Sequence, residues 1–383
     1  MRILFKEDYM KSLVENCTKL GFGMMRLPRL DKDTFDDAQI AKMVDAFMAA
    51  GGRYFDTAFV YEGSEEATRR ALVERYPRES FYLASKLMAA SFACKSKEEA
   101  EDEIRISLER TGAGYLDFYL LHGLDADNIE TYEKYDLWNY VKGLKEKGLI
   151  KHYGFSFHDT PETLDKILTA HPDAEFVQLQ INYADWEEPS VQSRGCYEVA
   201  VKHDIPVIVM EPVKGGTLAD PPEAIKAEFR KADPDASPAS WAIRFAASLD
   251  QVMIVLSGMS TMEQMEDNLS YMNLKDYKPL DEAGKQTVEN ARVILESFDR
   301  IKCTGCHYCT PGCPQEIPIP EIFSTMNLKL TYGLEERAKN EYKHRFRKAK
   351  ASDCVECGQC EEACPQHLHI TSLLKDVTAA LDS

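Results

Sequence analysis

Eight of the chain's cysteines fall into two runs that share one spacing, C-x2-C-x2-C-x3-C-P. The first, CTGCHYCTPGCP, carries Cys303, Cys306, Cys309 and Cys313; the second, CVECGQCEEACP, carries Cys354, Cys357, Cys360 and Cys364. Thiolate sulfur is a soft donor suited to iron, and four thiolates complete the four irons of a cubane. Zinc also takes C-x2-C pairs, but it has no use for a four-cysteine run with a trailing proline, still less for two. The spacing therefore predicts two [4Fe–4S] clusters. Cys17, Cys94 and Cys196 stand alone and read as packing residues. The pattern implies a reducing compartment rather than a disulfide framework.

A second set of residues has the types needed for proton transfer. Asp56 lies in YFDTA, Tyr61 in VYEGSEE, Lys86 closes FYLASK and His122 closes LDFYLLH. Hydride delivered to a carbonyl carbon leaves an alkoxide, which a tyrosine hydroxyl can protonate. The ordinary tyrosine pKa of about 10 is too high for easy exchange at neutral pH. A lysine cation beside it lowers that value, and an aspartate holds the lysine in place. A histidine can orient and polarise the carbonyl oxygen.

The elements that must position these groups follow from the hydrophobic pattern. Eight short apolar runs alternate with helical stretches: 20–25, 54–58, 81–86, 116–122, 152–157, 176–182, 206–211 and 252–258. Ile40, Val44, Phe47 and Met48 recur at helical spacing before Gly51 and Gly52, and Tyr132 to Gly148 reads as another helix. Eight strand–helix repeats predict an α/β fold, a closed (β/α)8 TIM barrel over residues 1–280. An open doubly wound sheet is the alternative, but no G-x-G-x-x-G turn follows the first strand. Asp56, Lys86 and His122 then sit at carboxyl ends of strands, where such barrels build active sites. Residues 281–383 read as a small, mostly α-helical domain, with helices near 281–298, 320–330 and 334–350 around the cysteine motifs.

With these residues in hand, the stretch 18–275 resembles the aldo-keto reductase family, on Asp56, Tyr61, Lys86 and His122 in their local contexts. Residues 281–383 resemble the α-helical ferredoxin type. The first resemblance implies catalysis by those four residues and a nicotinamide site lined by Gly23, Met24, Ser156, Gln180 and Lys214. The segment SGMSTMEQMEDN (257–268) is similar to the family's phosphate loop, implying contacts from Ser257, Ser260, Thr261, Gln264 and Asn268. Three positions depart from the family pattern. Phe157 replaces an asparagine that holds the nicotinamide amide, Met210 replaces a stacking tyrosine, and Gln264 replaces an arginine for the 2′-phosphate. The choice between NADPH and NADH is left open. The ferredoxin resemblance implies that Cys303, Cys306, Cys309 and Cys364 share one cluster, while Cys354, Cys357, Cys360 and Cys313 share the other.

The net charge of −18 opposes nucleic-acid binding. No apolar run approaches a membrane span, and the opening MRILFKEDYM lacks a leader's apolar core, so the expectation is a cytoplasmic protein off the membrane. One stretch reverses the sign: Arg337, Lys339, Lys343, His344, Arg345, Arg347, Lys348 and Lys350 read either as a solvated helix face or as a docking patch for an acidic electron carrier. The combined reading is an oxidoreductase acting on an aldehyde, ketone or alcohol, with the clusters serving electron transfer with a ferredoxin-type partner or serving structure. Two readings stand beside it, a ferredoxin-fed reductase without hydride transfer and a non-enzymatic electron-transfer protein with a scaffold barrel. A flavin is the usual adaptor between hydride and single electrons, although no flavin fingerprint is present. Phe59, Tyr183 and Trp186 are candidates for the pocket wall.

Overall fold

A computed structural model of the chain describes residues 6–90 and 92–382; the first half of the opening stretch read as lacking a leader lies outside them. Eight parallel strands close into a barrel in sequence order. They are β1 (Leu20–Gly23), β2 (Tyr54–Asp56), β3 (Tyr82–Leu87), β4 (Leu116–Leu124), β5 (Ile150–Phe157), β6 (Val177–Gln180), β7 (Val207–Met210) and β8 (Val252–Ser257). All eight fall within the apolar runs read from sequence, give or take two residues, and β1 pairs with β8. The closure excludes the open doubly wound sheet.

Side chains alternate across each strand, so one set of residues fills the barrel and the other faces the helices. Leu13, Tyr54, Ala84, Phe118, Leu120, Phe176, Ile208, Ile254 and Leu256 form one apolar cluster of interior residues. The opposite faces, among them Phe22, Phe55, Leu83, Tyr119, Phe155, Val177 and Val255, join the helical layer in a larger core. Two residues beyond Tyr54, Ala84 and Leu120 on the inward face come Asp56, Lys86 and His122. The alternation therefore delivers all three polar groups to the carboxyl ends of their strands. Gly154, inward on β5, is set by space: a Cβ there would stand 2.2 Å from the Phe176 carbonyl oxygen.

The helices begin where the sequence supplies caps. Asp36 accepts from the Gln39 N–H ahead of Asp37–Ala49, Thr160 caps Pro161–Ala170, and Ser237 caps Pro238–Ala247. The stretch 132–148 differs from its reading as one helix. It is two, Ile129–Lys134 and Leu137–Glu146, because Asp136 takes a left-handed backbone between them. The helix Lys6–Leu13 sends Leu13 into the interior cluster, an element the periodicity did not single out.

The chain divides into two units. The second comprises Gln286–Ser383 together with Glu187–Ser190 and Asp220–Asp235, so two segments between strands group with it. Within this unit Arg300 pairs with Glu188 at 2.5 Å and Asn290 bonds Glu228 at 2.8 Å. Its helices include Ile319–Tyr332, Glu335–Arg345 and Ile370–Leu381. The stretch read as one helix to residue 350 stops at Arg345, with Phe346 turned into the core. Ile317, Ile322, Phe323, Tyr342, Ile370, Leu374 and Val377 form that core.

Candidate active site

Lys86 is fully buried, and its Nζ donates to Asp56 Oδ1 at 2.5 Å and to the Thr57 carbonyl at 2.7 Å. Gln178 Nε2 reaches the other Asp56 oxygen at 3.3 Å. The Lys86 ammonium stands 4.9 Å from the Tyr61 ring centroid, and the Tyr61 ring meets the His122 ring edge-on at 5.7 Å. Strands β2, β3 and β4 and the loop after β2 thus bring Asp56, Tyr61, Lys86 and His122 together. Tyr132, which the sequence reading did not pick out, holds this arrangement from behind. Its hydroxyl donates to the His122 carbonyl at 2.6 Å and accepts from the Ala89 N–H at 3.1 Å.

Burial dominates the electrostatics. It pushes the Tyr61 hydroxyl above its ordinary pKa, with Lys86 pulling the other way. The lysine alone therefore does not make Tyr61 acidic, in contrast to the expectation from residue types. Burial lowers the Lys86 pKa, but Asp56 and Tyr61 more than offset this, and the ammonium is retained. His122 is driven well below its ordinary value by burial and then by Lys86, so the imidazole is neutral. Its Nδ1 is buried with no protein partner, which leaves a polar atom for a ligand to satisfy.

The other expected cofactor positions are distributed around the same barrel end. Gly23 ends β1 and Met24 begins the turn after it. Ser156 Oγ accepts from the Gly123 N–H at 2.7 Å. Gln180 and Lys214 converge on Asp185, a fully buried carboxylate absent from the sequence-based set. Gln180 Nε2 reaches it at 2.9 Å, Asn182 Nδ2 at 2.7 Å, and the Lys214 ammonium pairs with it. Burial raises the Asp185 pKa, yet Lys214, Gln180 and Asn182 bring it below the ordinary range.

In the segment after β8, Thr261 caps helix Met262–Met272 by accepting from the Gln264 N–H. The Gln264 side chain occupies the Ser260 N–H at 2.8 Å, and Asn268 bonds Ser257 at 2.7 Å. Nearby cationic charge comes from outside the segment: the Arg26 carbonyl accepts from Ser260, and its guanidinium lies 3.7 Å from Glu211. Gly216 and Gly258, in the loops after β7 and β8, are exposed, and a Cβ at either would meet no heavy atom within 4 Å. Phe157 faces the helical core, edge-on to Phe155. Tyr183 and Trp186 each meet the Phe245 ring near a right angle. Phe59 lies under the Arg110 guanidinium.

The cysteines of the second unit meet across the two motifs. Cys303, Cys306, Cys309 and Cys364 line one cavity, with Ile319, Phe323, Leu368 and Ile370. Cys313, Cys354, Cys357 and Cys360 line another, with Ile317, Ile319 and Leu374. Among the described residues no three His, Cys, Asp or Glu side chains converge as for one ion. A cubane differs from a single ion because each thiolate meets a different iron, which calls for sulfurs set around a space. The backbone repeats as well. Gly305, His307 and Glu316 in the first motif and Glu356, Gly358 and His367 in the second all have positive φ, at identical offsets from the leading cysteine. Such left-handed residues turn successive N–H groups into concavities that favour an anion. The donor set, apolar walls and backbone fit a four-thiolate cluster in each cavity.

Comparison with known proteins covers both units. The aldo/keto reductase family profile matches residues 19–283, and that of a 4Fe-4S dicluster domain matches residues 302–368. An aldo-keto reductase of Mycolicibacterium vanbaalenii is 30% identical over 241 residues, spanning 62% of this chain and 80% of its own. Among solved structures, the holo form of an aldo-keto reductase from Bacillus halodurans superposes with a TM-score of 0.56 at 23% identity, over 71% of this chain and 91% of that one. An aldo-keto reductase of Klebsiella pneumoniae in complex with NADPH gives 0.56 at 19% identity, over 72% and 90%.

Proposed function

The chain belongs to the aldo/keto reductase family and is an oxidoreductase of that type, and on that premise we propose that it reduces an aldehyde or ketone, or oxidises the corresponding alcohol, at Tyr61. The observation that carries this reading is the buried 2.5 Å Asp56–Lys86 pair beside Tyr61 and His122. When bound, a nicotinamide nucleotide, NADPH or NADH, would supply the hydride that the carbonyl carbon takes up. The Tyr61 hydroxyl gives the proton that the carbonyl oxygen needs, and the Lys86 ammonium stabilises the phenolate left behind. Asp56 keeps that ammonium charged and in place. Neutral His122 donates a hydrogen bond to the carbonyl oxygen, which polarises it without competing for the Tyr61 proton. Ser156, Gln180 and Lys214 would hold the nucleotide at this end of the barrel.

We place the reductase barrel in residues 1–280 and a cluster domain in 281–383. Cys303, Cys306, Cys309 and Cys364 would hold one [4Fe–4S] cluster, and Cys354, Cys357, Cys360 and Cys313 a second. Such clusters would supply one-electron chemistry. The test is anaerobic: iron-loaded protein is mixed with NADPH, then NADH, with and without a panel of simple carbonyls. Loss of nicotinamide absorbance that requires a carbonyl and falls about 10²–10⁴-fold in Tyr61→Phe supports the reading. Normal turnover in that variant would remove Tyr61 from the role.

A second reading, a reductase fed by its clusters without hydride transfer, rests on two observations. Lys214 is committed to Asp185, and Gln264 covers a backbone donor of the phosphate loop. Both reduce the grip available for a nucleotide. Turnover driven by reduced ferredoxin with no nicotinamide present would favour it.

A further inference from the structure

The cationic run beside the second cysteine motif is a charged surface that the reductase chemistry does not use. Residues 337–350 hold seven Lys or Arg against one acid, Glu341, a net +6 in a chain of net −18. The run is anchored from one side: Ala338, Tyr342 and Phe346 are buried in the core of the second unit. The Tyr342 hydroxyl ties the helix to the Ala351 N–H at 2.9 Å, three residues before Cys354. Some of its cations are neutralised locally, Lys339 by Glu335, Arg345 by Glu341 and Lys350 by Asp382. Lys343, Arg347 and Lys348 are exposed, and no carboxylate pairs with them among the described residues. Close by in sequence, Val355 is 58% exposed and the Cys357 thiol site is open to solvent.

We propose that Lys343, Arg347 and Lys348, with Val355, form the docking surface for an acidic one-electron carrier protein that exchanges electrons with the cluster at Cys354, Cys357 and Cys360. The proposal rests on the cluster reading above. Charge selects the partner. Unpaired surface cations attract a carboxylate-rich face over a Debye length, and a transient redox complex needs just a small apolar contact inside a charged rim. A single-stranded nucleic acid fits less well. The two aromatic residues of the run, Tyr342 and Phe346, are 0% and 4% exposed and offer no stacking platform.

The experiment compares the iron-loaded full chain with a Lys343→Glu/Arg347→Glu/Lys348→Glu variant, each mixed anaerobically in stopped flow with a reduced acidic plant-type [2Fe–2S] ferredoxin. Return of the oxidised ferredoxin's own visible bands, which differ from those of a [4Fe–4S] cluster, gives the rate. Cationic reduced methyl viologen serves as a small donor that needs no docking surface. The expected result is a ferredoxin rate at least about tenfold lower in the variant at low salt, converging with the wild type as salt rises. Methyl viologen should reduce the variant no more slowly. Equal ferredoxin rates in two proteins of equal iron content would overturn the docking surface and leave the clusters standing. Anaerobically isolated protein that binds no iron would overturn the cluster reading and this proposal with it. Oligonucleotide binding that outcompetes ferredoxin at the same residues would also overturn it.

Discussion

Asp56 and Asp185, two buried aspartates of the barrel, each pair with a lysine, Lys86 fully buried and Lys214 partly exposed, and the two pairs are built differently. Asp56 receives Lys86 at 2.5 Å and one long bond from Gln178 at 3.3 Å. Asp185 receives Lys214, Gln180 at 2.9 Å and Asn182 at 2.7 Å, and its own N–H is held by Asn182. The consequence is opposite in sign. Burial dominates at Asp56 and raises its pKa, whereas at Asp185 the donors overcome burial and lower it. A carboxylate with several donors is a finished structural node, while one that depends on a single cation leaves that cation bound to one task. The first kind of pair braces the loops after β6 and β7. The second keeps an ammonium beside Tyr61.

The sharpest way to break the comparison is to make the same substitution in both pairs. Lys86→Met strands Asp56 in the interior with one long hydrogen bond, and should cost about 3–5 kcal/mol of stability. Carbonyl turnover should fall about 10²–10⁴-fold with it. Lys214→Met leaves Asp185 with two good donors and should cost less, about 1.5–3 kcal/mol, with the activity loss carried by the nucleotide KM. Denaturant titration of both variants checks the ranking. Equal costs would mean that donor number does not separate the two sites.

A smaller effect sharpens the same point. Gln178→Ala and Gln180→Ala each remove one side-chain amide from one aspartate, for about 0.5–1.5 kcal/mol. Gln180→Ala should be the costlier, since its bond is 2.9 Å against 3.3 Å. Their midpoints in one urea series decide it.

The contrast between the pairs also shows what could be read from the chain beforehand. Asp56, Lys86 and His122 were legible because they lie in or at the end of short apolar runs, and a period of two fixes which way each residue of a strand points. Eight strands were legible for the same reason. The two four-cysteine motifs were legible through spacing, whereas the division of their cysteines into two cross-motif sets came from the ferredoxin resemblance. Asp185 and Tyr132 were not. One lies in a loop and the other in a short helix, where no periodicity sets direction, and their roles come from long-range bonds to Lys214 and to the His122 carbonyl. The break at Asp136 was hidden because a left-handed backbone at a single aspartate leaves the apolar spacing of Tyr132 to Leu144 undisturbed. The helix run to 350 failed differently: Lys and Arg extend the helical composition past Arg345, but burying Phe346 turns the chain.

The smallest effect concerns protons at the Lys86 side of the comparison. His122 is buried against Lys86 and Tyr61, and its pKa lies well below the ordinary value of about 6.5. In the unfolded chain this imidazole takes up a proton as pH falls through that value, while in the folded protein it stays neutral. The unfolded state then binds more protons, so stability drops as pH falls below about 6.5 and is fully present above it. The second lysine pair behaves otherwise: Asp185, with its lowered pKa, gives up stability at more acid pH, below about 3.9. Measured between pH 7 and 5, His122→Gln should flatten the decline in unfolding free energy by up to one proton's worth of slope. Some decline remains from His158, whose pKa burial also lowers. An unaltered slope in His122→Gln would mean that the imidazole is protonated in the folded barrel and that the Lys86 ammonium does not face it.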